Sequence, residues 1–167
     1  GQSNDTRMRR SVIMQVLGPY HHNFVTHLLE AELQRQVYAL AEAGQSITAA
    51  VLNQCKGNIL SAFWGDTVEI DDGARMTWMR QPHYYMGLYP YTYSVGLVAS
   101  TAMANLVRDQ GPPAVKRWLQ VLKAGGTLRP LELLQTAGID LSTPQPIHDA
   151  VAYVGRLIDE LEQSFAG

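Results

Sequence analysis

Apolar residues recur at helical rather than strand spacing over most of this chain. Met8, Val12, Ile13, Val16 and Leu17 keep that period behind a capping segment, Asn4-Asp5-Thr6, and Gly18-Pro19 is expected to stop the run. From Tyr20 to Ala43 neither proline nor glycine intervenes. Phe24, Leu28, Ala31, Val37, Leu40 and Ala41 mark one face of a long helix there, with Gly44 where a C-cap belongs. Thr48 caps a third helix that carries Val51, Leu52, Cys55, Ile59, Leu60 and Phe63 and closes at Gly65. Between residues 66 and 90 the pattern breaks. Thr67-Val68-Glu69-Ile70 is too short to stand as a strand and Asp71-Asp72-Gly73 reads as a turn, so the stretch is expected to be an irregular surface excursion. Beyond it, residues 97–109 are small and apolar and end at Gly111-Pro112-Pro113. Residues 114–122 form a further helix, Gly125-Gly126 a hinge, 130–136 a short helix begun by its proline, and 147–165 a terminal helix. The pattern predicts an all-α fold of about seven helices with one irregular segment, most simply a single helical domain over residues 1–167.

Composition narrows the partners. With 167 residues, 46% of them hydrophobic, the chain is long enough to bury a core. Thirteen basic against fifteen acidic side chains leave a net charge of −2, and apart from Arg7-Met8-Arg9-Arg10 the basic residues are scattered. No basic stripe follows a phosphate backbone, so nucleic acid is not an expected partner. Apolar runs of a few residues fall far short of the roughly 20 that span a bilayer, and no membrane is expected. A single cysteine, Cys55, rules out an internal disulfide framework, and no charged start leads into an apolar run, which together fit a reducing cytoplasm. Cys55 itself sits at an apolar helical position and reads as a packed thiol.

Five of the eight tyrosines crowd around one histidine in Gln81-Pro82-His83-Tyr84-Tyr85-Met86-Gly87-Leu88-Tyr89-Pro90-Tyr91-Thr92-Tyr93. A packed core would use apolar rings at such positions, so phenols and an imidazole gathered between prolines and a glycine read as hydrogen-bond donors aimed at a ligand. If a helix starts near Tyr89, Tyr89 and Tyr93 share one face and Tyr91 points roughly the other way. For Tyr89 and Tyr93 an aromatic packing layer is an equal reading. His21, His22 and His27 lack the spacing of three or four that puts two ligands on one helix face, and His27 with Glu30 has no second such pair. These polar residues on an apolar helix are expected to line a cleft or bond other helices, and Arg7, Arg9 and Arg10 to form a solvated face.

Thr77-Trp78 through Gly96, with Pro-His-Tyr-Tyr and Leu-Tyr-x-Tyr-x-Tyr-x-x-Gly, resembles the region beyond the zinc site in oligoendopeptidase F-type metallopeptidases, relatives of thimet oligopeptidase. Ala31-Glu32-Leu33, Glu42-Ala43-Gly44 and Thr48 are similar to the preceding family helix and its exit. Leu122-Lys123-Ala124-Gly125-Gly126, Pro130-Leu131-Glu132-Leu133-Leu134 and Ala137-Gly138-Ile139-Asp140-Leu141 look like the family's tail. The likeness covers residues 20–162.

That resemblance implies part of a zincin-like catalytic domain that cleaves oligopeptides. Such enzymes hold zinc with the histidines of His-Glu-x-x-His and a later glutamate. None of His21, His22, His27, His83 or His148 is followed by glutamate, so no zinc ligand set is present in this sequence. The chain is therefore expected to be a C-terminal segment whose partner is a missing N-terminal portion bearing that motif, and to be inactive alone. By its place in the motif, Tyr91 resembles the tyrosine that points at the developing oxyanion, and His83 the histidine that binds the substrate backbone. Tyr84 or Tyr85, with Tyr85 the stronger candidate, corresponds to a second donor, and Tyr84, Tyr85, Tyr89 and Tyr93 are the expected substrate-binding set. Apolar surface left by the missing helices is expected to promote self-association. The alternative reading is a non-catalytic helical module that binds peptides in the tyrosine-rich groove. A histidine-ligated metal protein is a third.

Overall fold

The computed structural model describes residues 5–166. Its elements run α1 (Thr6–Pro19), a π-helical turn (Tyr20–Thr26), α2 (His27–Glu42), α3 (Ala49–Trp64), a 3-10 turn (Gly65–Thr67), α4 (Asp72–Arg75), two more 3-10 turns (Thr77–Arg80 and Pro82–Tyr85), α5 (Tyr91–Gln110), α6 (Pro112–Ala124), α7 (Pro130–Ala137) and α8 (Gln145–Gln163). The fold is all-α, with no strand among the described residues, and seven of the α-helices reach eight residues or more. Among the described residues no helix is long and apolar enough to cross a membrane.

Local chemistry explains most boundaries. Asp5 caps α1 by accepting from the backbone N–H groups of Arg7 and Met8, while Asn4 lies outside the described residues. Thr48 caps α3 through Val51 N at 3.3 Å. Gly65, at φ +56, and Gly111, at φ +63, turn the chain after α3 and before α6 in a region that side chains with a Cβ resist. The first α-helix ends at Pro19, where the expected stop falls, but the chain keeps winding beyond it. Pro19 lacks a donor, but its fixed φ fits a helix, and the next N–H, of Tyr20, bonds to Leu17 O. The wider π winding of Tyr20–Thr26 then carries the chain into α2. The stretch after α3 is also more ordered than expected. Asp71 accepts from Ala74 N at 2.7 Å and so starts a short helix where a plain turn was predicted. α5 begins six residues before the expected position of 97, because Pro90 and Tyr89 supply the carbonyls that its first N–H groups need.

The contacts fall into two compact units. One is His22–Ser94, and the other is the described chain on either side of it. In the latter, Met103 of α5, Ala114 and Val121 of α6, Ala137 of α7 and Ile139 form a core, with Leu106, Trp118, Leu133 and Leu134 packed against it. α1 pairs with α8. Arg9 joins Glu160, and Arg10 donates to Ser164 Oγ at 2.9 Å and lies 3.8 Å over the Phe165 ring. The expected solvated arginine face is therefore corrected for Arg10, whose flat guanidinium finds an aromatic face at the end of α8. In the His22–Ser94 unit, Phe24, Leu33 and Ile59 are buried, together with His27, Glu30, Gln34 and Lys56.

Ile139 is 2% exposed and Leu122 58%. Ile139→Ala is expected to lower the unfolding free energy by about 2–4 kcal/mol through the cavity it leaves, and Leu122→Ala by less than about 0.5. Denaturant midpoints of the two variants check the contrast.

Candidate active site

The tyrosine-rich segment is shaped by its prolines and one glycine. Pro82 starts the 3-10 turn that carries His83, Tyr84 and Tyr85, and Gly87 at φ +67 reverses the chain after it. Tyr89 O then accepts from Thr92 N at 3.1 Å and from Thr92 Oγ1 at 2.6 Å, which fixes Tyr89 against the start of α5. Tyr89 and Tyr93 are four residues apart, and their rings meet edge to face at 5.4 Å.

His83 sits at the centre of this group. Its ring lies parallel to that of Tyr89 at 5.5 Å and edge-on to that of Tyr93 at 5.7 Å. The Tyr93 hydroxyl is 3.3 Å from His83 Nε2 and donates to the Tyr89 hydroxyl, also at 3.3 Å. Gln81 Oε1 stands 3.3 Å from Nδ1 on the other side of the ring. Tyr93 has one proton to give and passes it to Tyr89, so Nε2 supplies the proton of the bond to Tyr93 while Nδ1 faces an acceptor. His27 extends the cluster from below, stacked on Tyr93 at 4.2 Å and edge-on to His22 at 4.7 Å and to His83 at 5.9 Å.

A buried polar stripe on α2 supports the segment. His27, Glu30 and Gln34, all under 5% exposed, follow one helix face. His27 Nδ1 donates to the carbonyl of His22 at 2.8 Å, and its Nε2 stands 4.0 Å from Glu30 Oε2. Gln34 Nε2 donates to the carbonyls of Tyr84, at 3.3 Å, and Gly87, clamping both ends of the reversal. From α3, Lys56 Nζ donates to the Tyr84 hydroxyl at 3.4 Å. Burial pushes the Lys56 ammonium below its ordinary value, an effect the Glu30 carboxylate opposes. Burial and then the Glu30 charge push the Tyr84 phenol well above its ordinary value.

The expected site residues thus divide. His83, Tyr89 and Tyr93 are brought into one hydrogen-bonded group. Tyr84 turns inward to Lys56, whereas Tyr85 is 76% exposed. Tyr91 is 47% exposed and its hydroxyl makes no hydrogen bond among the described residues, so it stands free at the first turn of α5. Sequence reading did not single out Gln34 or Lys56. The signal was there, since Glu30 and Gln34 fall at helical spacing from His27, and Lys56 interrupts an apolar helix. Among the described residues no three His, Cys, Asp or Glu side chains gather as a group able to hold a metal ion.

The Tyr84 and Lys56 shifts have opposite consequences at alkaline pH. The folded state keeps the Tyr84 proton where the unfolded chain, with a phenol near 10.0, loses it, so that contribution is intact below pH 10 and is lost above it. Lys56 releases its proton earlier when folded than its unfolded value of 10.5, so its burial penalty fades as pH rises toward that value. Tyr84→Phe is expected to flatten the loss of stability above pH 10 and to remove one late-forming phenolate. Phenolate absorbance during an alkaline titration, read beside unfolding midpoints, measures both.

Sequence and structure comparisons show the family. The model of Peptidase family M3 matches residues 12–153. The chain is 28% identical over 159 residues to an oligopeptidase, PepF, of Bacillus subtilis, covering 95% of this chain and 24% of that protein. It is 25% identical over 162 residues to the plasmid oligoendopeptidase F of Lactococcus lactis subsp. cremoris, covering 97% and 27%. The crystal structure of oligoendopeptidase-F from Enterococcus faecium superposes with a TM-score of 0.93 at 28% identity, over 99% of this chain and 32% of that one. The chain thus spans about a quarter of the length of these curated relatives. With a family match that takes in most of its residues, it belongs to peptidase family M3.

Proposed function

We propose that this chain is the C-terminal part of the catalytic domain of a zinc-dependent metalloendopeptidase that hydrolyses oligopeptides. It would supply hydrogen-bond donors to the peptide and carry no metal of its own. Membership of the family supports the reaction class, and the His83–Tyr93–Tyr89 group, together with the exposed Tyr91 hydroxyl, is the observation that carries the reading. No three His, Cys, Asp or Glu side chains gather among the described residues, so in this reading the zinc is held by other polypeptide and the chemistry assigned to this chain is hydrogen bonding alone.

Each side chain has a task in that chemistry. Negative charge grows on the carbonyl oxygen of a peptide bond as it is attacked, and a donor held in place stabilises that charge more than it stabilises the resting amide. Tyr91 is suited to this because its hydroxyl is exposed and uncommitted. Tyr85 is similarly open and serves as the second donor, while Tyr84 is spent on Lys56. His83, braced between Gln81 and Tyr93, orients the peptide backbone. Tyr89 and Tyr93 hold His83 rather than reach for substrate. A single half-buried cysteine suits the reducing cytoplasm in which we place the enzyme.

Exposed apolar residues support the idea that more polypeptide packs here. Val115, Leu119 and Leu122 line one face of α6, and Ile147, Val151 and Ile158 one face of α8. Left uncovered, these stripes would drive the chain to self-associate.

Three measurements test the reading. In the intact enzyme, Tyr91→Phe is expected to lower kcat by roughly 100-fold, and a change of only about twofold removes Tyr91 from the mechanism. Mixing this chain with the polypeptide that bears His-Glu-x-x-His should restore chelator-sensitive peptidase activity. No activity from the mixture, with peptide binding by this chain alone, would instead identify a non-catalytic peptide-binding module. Sedimentation of the isolated chain should show a dimer or larger species, and a monomer that fails to enhance a hydrophobic dye counts against the exposed stripes.

A further inference from the structure

His27 is outside the donor set, yet the rings of that set are arranged against it. It is 2% exposed and stands at the first residue of α2, where the π-helical turn ends. Single π turns interrupt the even winding of a helix and recur at functional sites. This one takes hold of the start of α5. Ser94 Oγ, in a residue 4% exposed, donates between the carbonyls of Asn23, at 3.1 Å, and Phe24, at 3.0 Å, while His27 Nδ1 donates to the carbonyl of His22 at 2.8 Å. Three successive carbonyls of the turn thus hold the residue next to Tyr93 and the ring of His27.

The His27 ring lies against Tyr93. Their centroids are 4.2 Å apart with the planes at 28°, closer than the 5.7 Å between Tyr93 and His83. Nδ1 is committed to His22, and Nε2 stands 4.0 Å from Glu30 Oε2, on α2 itself. To His83 the ring comes only edge-on, at 5.9 Å. The route from His27 to His83 therefore runs through Tyr93, whose hydroxyl is 3.3 Å from His83 Nε2. A tyrosine swings about two side-chain torsions, and a flat ring stacked on its face restricts both, which fixes where the hydroxyl points.

We propose that His27 is a positioning residue of the candidate site: its ring holds the plane of Tyr93 and so sets the hydroxyl that meets His83 Nε2. That geometry stands without any reaction, and only its effect on turnover rests on the peptidase reading.

Three substitutions separate the ring from the hydrogen bond. His27→Phe keeps a flat ring and loses the donor to the His22 carbonyl, His27→Asn keeps a donor and loses the ring, and His27→Ala loses both. In nuclear Overhauser spectra of the full 167-residue chain, a cross-peak between the His27 and Tyr93 rings is expected in the unaltered protein, and its absence overturns the proposal before any variant is made. The cross-peak between the Tyr93 and His83 rings is expected to persist in His27→Phe and to vanish in His27→Asn and His27→Ala, whatever the order of their unfolding midpoints. Persistence in His27→Asn, or loss in His27→Phe, overturns the proposal. In the intact enzyme, His27→Asn is expected to lower kcat/KM by roughly tenfold and to lower it no further in a Tyr93→Phe background, because the effect passes through that hydroxyl. A full tenfold loss in that background as well overturns the route through Tyr93. Spectra altered as expected beside an unchanged kcat/KM uphold the positioning and remove His83 from the reaction instead.

Discussion

The grip of Gln34 on the carbonyls of Tyr84 and Gly87 is the contact on which the candidate site depends. Those two carbonyls belong to an irregular reversal that has no regular ladder to satisfy them, and a buried amide from α2 supplies donors to both ends at once. With the reversal pinned, His83 is presented from the 3-10 turn toward Tyr89 and Tyr93 at the head of α5. Local bonds hold Tyr89 to the start of α5 and close the 3-10 turn, and Gln34 adds the tie from α2 to both ends of the reversal.

The buried charges nearby obey the same logic. Glu30 and Lys56 are both under 5% exposed in an environment that penalises charge. Lys56 is relieved by Glu30 and by the Tyr84 hydroxyl, and His27 sets its proton by bonding the carbonyl of His22. The result is a polar layer between α2, α3 and the tyrosine segment, where a wholly apolar core would pack but would not choose one orientation for the turn. A division of labour among the tyrosines follows. Those tied inward, Tyr84, Tyr89 and Tyr93, give the segment its shape, and those left free, Tyr85 and Tyr91, are available to something outside it.

Much of the fold was legible in the residue pattern because helices announce themselves locally. Asp5, Thr48, Gly65, Gly111 and Pro130 mark ends that follow from backbone donors, acceptors and φ alone. Gly18-Pro19 marks the end of the first α-helix, but proline forbids one hydrogen bond and not the helical φ, so the chain continues as a π-helical turn that the residue pattern did not announce. Tyr20 and Phe24 in that turn are both buried.

The sequence by itself determined the all-α architecture, the family and the crowding of phenols around His83, since periodicity, capping and motif order are properties of neighbours along the chain. Only the tertiary structure decided which hydroxyls are committed and which are free, because that depends on Gln34 and Lys56. These two side chains lie roughly 50 and 28 positions from Tyr84 in sequence and meet it only when α2 and α3 close on the turn. Hydrogen-bond satisfaction is a property of the folded neighbourhood, so no reading of residue order could have assigned it.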